Sequence, residues 1–235
     1  MRKNLLITGM PRSGKSTLLN KLIQEIDQKV GFVTNEVRKD GERVGFELVN
    51  HKREKSMLAS VNFETNFKVS RYFVDINALD EMILGVEKVG EHDILFLDEI
   101  GQMELFSDKF KALVEKYLDS PNVCIATLSK IYSDEFIEKI KNRTDVFLVE
   151  INEETRDEKE KYLKVLLSKI IKAKRYVSEP DRFSVSSGKV NLTTDHGIRT
   201  LTKHNEEWLC NCTFFQDNKM CSHTLALEEY LNLHK

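Results

Sequence analysis

The chain has 235 residues, of which 40% are hydrophobic and 31% are charged, and its formal net charge is -2. This size and apolar content suit one α/β domain with a small appendage, or two compact domains. The near-neutral charge gives no overall basic character that would favour a nucleic-acid partner. No apolar run reaches the roughly 20 residues that cross a bilayer. We therefore expect a cytoplasmic protein with no membrane partner.

A strand, a glycine-rich loop and a helix are predicted at the amino terminus. The apolar run Leu5–Thr8 predicts a buried strand, and apolar residues at helical spacing follow from Thr17 to Ile26. The loop between them fits the Walker A pattern G-x-x-x-x-G-K-[ST] at every fixed position. Its residues, with the first residue of the helix that follows, are Gly9, Met10, Pro11, Arg12, Ser13, Gly14, Lys15, Ser16 and Thr17.

This arrangement predicts a binding site for a nucleoside triphosphate such as ATP or GTP. A glycine loop that runs into a helix presents backbone N–H groups and the positive end of the helix dipole to the phosphates. Pro11 is an exception within the loop because it has no N–H. We expect Lys15 to reach the β- and γ-phosphates, and the hydroxyl of Ser16 to bind Mg²⁺.

The chain then alternates between predicted strands and helices. An antiparallel hairpin is predicted around the turn Asp40-Gly41, and residues 53–61 are expected to form a loop. Further strands are predicted at residues 72–75, 94–97, 123–127 and 146–149, and helices at residues 76–88, 108–118 (capped by Ser107), 134–141 and from 155 onward. This order predicts an α/β fold of the P-loop NTPase type, with a mainly parallel, doubly wound sheet plus the antiparallel hairpin.

Two acids end the most apolar run in the chain, Ile94–Leu97. We expect Asp98 to hold Mg²⁺ from the end of its strand, and Glu99 to orient or deprotonate an attacking water. The pair favours hydrolysis, because a nucleotide kinase must exclude water and needs no glutamate to activate it. Thr127, at the end of the next strand, either senses the γ-phosphate or is an ordinary strand-end threonine.

Phosphoryl transfer also requires positive charge that stabilises the transition state. The sequence does not choose among five candidates for this role, which are Arg12, Arg38, Arg43, Arg71 and Arg143.

Five blocks within roughly residues 1–172 resemble a known family. In chain order they read GMPRSGKSTL, GFVTNEVRKDGERVGFELV, SMLASV, RYFVDINALDE and LDEIGQMEL. They resemble the nucleoside-triphosphatase family sometimes called cancer-related NTPases. The resemblance implies Mg²⁺-dependent hydrolysis of NTPs to NDPs and phosphate with broad base tolerance, and a second nucleotide-contacting segment at Ile94–Gly101. Arg12 stands where many relatives have a glycine, which adds a positive charge near the phosphates.

A cysteine motif of the form C-x-C-x8-C-x-H lies near the carboxyl terminus. Three thiolates and one imidazole form a closed tetrahedral set for structural Zn²⁺, so we expect Cys210, Cys212, Cys221 and His223 to bind zinc. The two cysteines of the first pair are expected to share one face of a strand. Cys124 is predicted to be an inert core residue.

The flanking residues of this motif, Trp208-Leu209 before it and Thr224–Leu227 after it, resemble a SWIM zinc finger over roughly residues 175–235. The resemblance implies a small β-hairpin and helix module that binds DNA or protein. Because composition shifts after the last helix of the α/β pattern, we predict an NTPase domain at residues 1–174 and a zinc-binding module at residues 175–235. The charge of the module is neutral, which leaves DNA, RNA and protein open as partners.

The sequence favours a Mg²⁺-dependent nucleoside triphosphatase joined to a zinc-binding interaction module. Two alternatives remain. One is an NTP-switched protein with slow turnover that binds nucleic acid or protein, and the other is a nucleotide or nucleoside kinase.

Overall fold

The computed structural model describes residues 1–205 and 207–234, which form two compact units. The larger unit is Lys3–Lys161, and the smaller one combines Met1–Arg2 with Tyr162–Lys235. The division at residues 161 and 162 falls within a helix that spans Arg156–Val177. The domain boundary that composition places at residue 174 lies in the same helix and stays a prediction.

The larger unit contains nine strands and four complete helices among the described residues. The strands are β1 (Asn4–Gly9), β2 (Lys29–Lys39), β3 (Glu42–Asn50), β4 (Lys55–Ser60), β5 (Lys68–Val69), β6 (Tyr72–Val74), β7 (Ile94–Ile100), β8 (Cys124–Ser129) and β9 (Val146–Glu150). The helices are α1 (Lys15–Gln24), α2 (Ile76–Val86), α3 (Asp108–Asp119) and α4 (Glu135–Lys141), and α5 (Arg156–Val177) begins in this unit.

All nine strands join one sheet in the order β5-β6-β4-β3-β2-β7-β8-β1-β9. Strands β2, β7, β8, β1 and β9 run parallel, whereas β3 to β6 add antiparallel pairs at one edge. This topology confirms the predicted α/β fold, and β2 and β3 form the predicted hairpin. The expectation of a loop at residues 53–61 was wrong, because β4 pairs with β3 there and buries Leu58 and Ala59.

The central strands carry the core and bring the site together at one edge. Leu5, Leu6 and Ile7 of β1 are fully buried, as expected for a parallel strand covered on both faces. Because β1, β7 and β8 are parallel neighbours, their carboxyl ends lie at the same edge of the sheet. Cys124 at the start of β8 is buried, and burial raises the pKa of its thiol to about 12, which fits the predicted inert position.

The smaller unit contains a four-stranded antiparallel sheet and two short helices in addition to α5. Its elements are β10 (Phe183–Ser186), β11 (Lys189–Thr194), β12 (Gly197–His204), β13 (Glu207–Cys210), α6 (Thr213–Asn218) and α7 (Ser222–Leu233). This module is larger than the expected hairpin and helix. Helix α6 has only six residues, too few to show helical periodicity in the sequence. Within the part of the chain that the structure describes, no helix is long and apolar enough to span a membrane.

Candidate nucleotide and metal sites

The glycine loop connects β1 to α1, and its backbone is shaped for an anion. A Cβ at Gly9 would lie 2.4 Å from the carbonyl oxygen of Ile151, so only glycine fits there. Gly14 has φ of 93° and directly precedes α1, whose N-terminus has no side-chain cap. The N–H groups of the first helical turn have no partner within the helix and therefore face the loop. An uncapped N-terminus beside a glycine loop is a binding site for phosphate.

Lys15 connects the loop to the acidic end of β7. Its side chain is buried, with 7% of the residue exposed, and its Nζ donates a hydrogen bond to the carbonyl oxygen of Gly9 at 3.2 Å. The same Nζ lies 3.6 Å from Oε2 of Glu99. The structure thus brings the Walker A lysine close to the glutamate for which we predict a water-activating role.

Asp98 is the buried carboxylate of the site, with 1% of the residue exposed. Its Oδ1 accepts hydrogen bonds from the hydroxyls of Thr127 and, at 3.1 Å, Ser16. Its Oδ2 is buried with no hydrogen-bond partner among the described residues. Burial raises the pKa of Asp98 to about 6, although the two hydroxyls oppose the shift. A carboxylate oxygen without a partner, beside a serine hydroxyl, fits the oxygen ligands that Mg²⁺ prefers.

The structure places Thr127 behind Asp98. Thr127 is fully buried and does not line the cavity beside the loop, and its hydroxyl donates to the carboxylate. This position allows Thr127 to orient the Asp98 carboxylate, and a role in sensing the γ-phosphate stays a prediction.

A cavity of about 920 Å³ opens beside the loop and lies wholly within the larger unit. Its size is within the range of small-molecule sites. The loop, the outer end of β2, the turn after β7 and the turn after β8 form its walls. Lining residues include Lys15, Thr34, Glu36, Arg43, Phe46, Asp98, Glu99, Glu104, Lys130 and Tyr132.

Glu104 is a site residue that sequence reasoning missed. It begins a 3-10 turn after β7, and only 5% of it is exposed. A Cβ built on Gly101 would lie 3.2 Å from Oε2 of Glu104 and 3.4 Å from Oε1 of Glu99, so the two carboxyls converge on that glycine. Burial, then the charge of Glu99, raises the pKa of Glu104 to about 8. Its one signal in the sequence is its place in the block LDEIGQMEL.

The five candidate arginines occupy different places. Only Arg12 and Arg43 line the cavity. Arg38 pairs with a neighbouring acid on the hairpin, and Arg71 donates to the carbonyl oxygen of Arg43. Arg143 pairs with Asp119 on α3 and with Asp145 just before β9, at the opposite edge of the sheet.

A second cluster lies in the smaller unit. The ligand atoms of Cys210, Cys212, Cys221 and His223 all lie within 4.8 Å of one another. Nδ1 of His223 is 3.5 Å from Sγ of Cys210 and 3.6 Å from Sγ of Cys221. Tetrahedral Zn²⁺ with Zn–S of about 2.3 Å and Zn–N of about 2.0 Å requires S···N edges of about 3.5 Å. The four predicted residues therefore meet in a geometry that fits zinc.

The prediction that Cys210 and Cys212 share one face of a strand was wrong. Cys210 ends β13, but Cys212 lies beyond the strand as the N-cap of α6, so the two do not share a strand face. Backbone N–H groups of Phe215 and Thr224 donate to the Sγ atoms of Cys212 and Cys221 at 3.4 and 3.5 Å. Hydrogen bonds from Cys210, His223 and the N–H of Thr224 lower the pKa of Cys221, whereas the hydrogen bond with Cys221 raises the pKa of Cys210 and burial raises that of Cys212.

The glycine loop, its lysine and the acidic end of β7 define a P-loop nucleotide-binding α/β protein. The family model described as NTPase matches residues 4–164, well over half of the chain. The chain therefore belongs to the NTPase family.

Individual relatives agree with this assignment. The chain is 42% identical over 155 residues to the nucleoside-triphosphatase THEP1 of Thermotoga sp. (strain RQ2), a match that covers 65% of this chain and 88% of that protein. Among solved structures, THEP1 from Aquifex aeolicus has a TM-score of 0.64 at 30% identity, covering 70% of this chain and 98% of that one. A human cancer-related nucleoside triphosphatase has a TM-score of 0.60 at 29% identity, covering 68% and 95%.

Proposed function

We propose that the protein hydrolyses nucleoside triphosphates to the diphosphate and phosphate in a Mg²⁺-dependent reaction. The observation that carries the proposal is the 3.6 Å contact between Nζ of Lys15 and Oε2 of Glu99, which joins the phosphate loop to a candidate base. The names of the relatives, which are nucleoside-triphosphatases, support the same activity.

The loop residues 9–17 wrap the phosphates in this proposal, with Lys15 on the β- and γ-phosphates. Ser16 and Asp98 would hold Mg²⁺, Ser16 with its hydroxyl and Asp98 with its buried carboxylate, whose Oδ2 has no hydrogen-bond partner among the described residues. When bound, Mg²⁺ neutralises phosphate charge and organises the oxygens for in-line attack.

Glu99 is the general base. Its side chain is 32% exposed and lines the cavity, so a water can reach it, whereas Asp98 beside it is buried. The water oxygen forms a bond to the γ-phosphorus while the bond from that phosphorus to the β-γ bridging oxygen breaks. The electron pair leaves on the NDP, and the proton of the water passes to a carboxylate oxygen of Glu99.

Phosphate release by purified full-length protein tests this proposal. Lys15→Ala and Glu99→Gln should each lower kcat/KM by about 10²-fold or more. Glu99→Gln should keep its affinity for NTP, because glutamine preserves the shape of the side chain. Lys21→Ala removes an exposed lysine of α1 that pairs with Glu160, and it should behave as wild type. Unchanged turnover in both site variants would remove the assignment, and phosphate arriving on an added nucleoside or nucleotide would favour the kinase alternative.

We also propose that the four clustered residues Cys210, Cys212, Cys221 and His223 bind structural Zn²⁺ and that the smaller unit is an interaction module. A candidate metal-binding cluster in a compact unit separate from the nucleotide cavity favours a second candidate function, in which NTP controls binding to a partner. Binding of the full chain to single-stranded RNA, single-stranded DNA and duplex DNA, measured with and without NTP, tests it. Affinities that are the same in both conditions would remove NTP control for those partners.

A further inference from the structure

Arg43 faces the nucleotide cavity and is held in place by several contacts. It lies on β3, and its Nε donates to Oη of Tyr72 at 2.9 Å while its Nη1 donates to Oε1 of Glu36 at 2.6 Å. Its Cζ also lies 5.1 Å from the ring centre of Phe46 and 5.4 Å from that of Tyr72. Two hydrogen bonds and two aromatic rings therefore fix the guanidinium before any ligand arrives.

Arg12 shares the cavity but is not fixed in this way. It is exposed, its φ is 68°, and it has no hydrogen-bond or ion-pair partner in the described parts of the chain. Electrostatic stabilisation of a transition state is strongest when the charge is already in place, because no reorganisation is then needed during the reaction. Preorganisation therefore favours Arg43 over Arg12.

The hairpin of β2 and β3 places Arg43 in the wall of the cavity that Glu99 also lines. In the register between β2 and β7, Val33 is the partner of Asp98, and the next residue, Thr34, donates its hydroxyl to the carbonyl oxygen of Asp98 at 2.6 Å. Glu36 lies three residues beyond Val33, about 10 Å along the strand. Arg43 is held on Glu36, so it faces the same cavity as Glu99 from the neighbouring wall.

Glu36 and Tyr72, which hold Arg43, are themselves held by a second arginine each. Oε2 of Glu36 accepts from both Nε and Nη2 of Arg38, at 3.1 and 2.6 Å. Nε of Arg71 lies 3.2 Å from Oη of Tyr72. Arg43 uses Nε and Nη1 for Tyr72 and Glu36, so its Nη2 is the donor that can meet a phosphate while both contacts stay in place.

We propose that Arg43 binds the γ-phosphate of the bound NTP and neutralises the charge that develops there in the transition state. Glu36 and Tyr72 act as positioning residues that hold Arg43 at the cavity wall. The inference rests on the proposed hydrolysis. It assigns the positive charge that phosphoryl transfer needs to the hairpin of the same chain, without a partner protein.

The test separates binding of the product from binding of a transition-state mimic. For Arg43→Ala, Arg43→Lys and wild type, we would measure kcat for phosphate release, affinity for Mg-ADP, and affinity for Mg-ADP with aluminium fluoride. Arg43→Ala should lower kcat and affinity for the fluoride complex together, by about 10³-fold, while affinity for Mg-ADP changes less than threefold. Arg43→Lys keeps a charge but loses the forked geometry, so its kcat and its affinity for the fluoride complex should lie between those of wild type and Arg43→Ala.

A matched control is Lys39→Ala, which removes an exposed positive charge from the end of β2 on the same hairpin. It should leave all three quantities unchanged. The inference is overturned if Arg43→Ala keeps kcat and fluoride-complex affinity within threefold of wild type. It is also overturned if Mg-ADP affinity falls as far as kcat in both Arg43 variants, because that result indicates a structural role. Absence of phosphate release by wild type would instead count against the proposed function.

Discussion

Thr127 donates its hydroxyl proton to Oδ1 of Asp98 from the neighbouring strand, where neither residue is exposed to solvent by more than 1%. This bond fixes one carboxylate oxygen and leaves Oδ2 without a partner among the described residues. A carboxylate that binds a cation gains affinity when its other oxygen is held in this way.

We therefore expect Thr127→Val to weaken Mg²⁺ binding without unfolding the protein. Valine has nearly the same shape but no hydroxyl, so Asp98 loses one of its two orienting bonds. The Mg²⁺ concentration that gives half-maximal phosphate release should rise about 10- to 100-fold. A Mg²⁺ titration at saturating NTP measures this shift.

The control for this substitution is Thr8→Val. Thr8 is the next-to-last residue of β1 and pairs with β8, and its Oγ1 is buried without a hydrogen-bond partner within the described residues. Its replacement by valine should leave the Mg²⁺ dependence unchanged. Equal Mg²⁺ requirements for Thr127→Val and wild type would show that the Thr127 bond does not support metal binding.

Glu104 should make the stability of the larger unit depend on pH. Its pKa is raised to about 8 in the folded protein, mainly by burial, from an ordinary value of 4.5. The folded state therefore holds a proton that the unfolded state releases between these pH values. The stability that this group contributes is full below pH 4.5 and is lost as pH rises through about 8, at about 1.4 kcal/mol per unit of pKa shift.

Glu104→Gln should remove that dependence, because glutamine is neutral at every pH. We expect the variant and wild type to have similar free energies of unfolding near pH 5. At pH 9 the variant should be more stable, by an amount on the order of a few kcal/mol. Urea unfolding followed by circular dichroism, without nucleotide or Mg²⁺, measures the difference. Glu42→Gln, at the exposed start of β3, is the control and should keep the pH dependence of wild type. If the free energy of unfolding of Glu104→Gln changes with pH as much as that of Glu42→Gln, the buried-acid explanation is contradicted.

The parts of the site that the sequence predicted are those that local sequence determines. The phosphate loop is continuous in the chain, so its glycines and Lys15 are evident from spacing alone. Asp98 and Glu99 were predicted because a buried parallel strand needs an apolar run, and these acids end it. The cap at Ser107 is also local, and its side chain accepts from the N–H of Phe110 as predicted.

The parts that were missed depend on contacts between distant residues. Strand β4 contains Lys, Ser and Met with no alternating pattern, and it is a strand because β3 provides a partner. Glu104 is a buried acid only because the turn after β7 folds against Gly101. The choice of Arg43 among five arginines depends on Tyr72, which is 29 residues away in the chain.

The cysteine cluster allows a test in which a metal ligand is removed but the local helix is preserved. Cys212 and Cys221 are the N-caps of α6 and α7, and each Sγ accepts a backbone N–H. Serine is among the best N-cap residues, so Cys212→Ser and Cys221→Ser keep the cap and lose the thiolate ligand. If the cluster binds zinc, both variants should contain far less than one zinc per chain, as measured by metal analysis of purified protein.

Cys124→Ala is the matched control, because Cys124 lies in β8 of the larger unit. This variant should keep a zinc content of about one per chain.

Trp208 provides a second measurement, since it is the one tryptophan of the sequence and lies on β13 two residues before Cys210. Structural zinc contributes on the order of 10 kcal/mol in small zinc-binding folds. Its loss from Cys221→Ser should therefore shift the emission of Trp208 to longer wavelength, whereas phosphate release, which depends on the other unit, should persist. Full zinc occupancy in both serine variants would contradict the metal assignment. Unshifted Trp208 emission in zinc-free protein would show instead that this sheet folds without the metal.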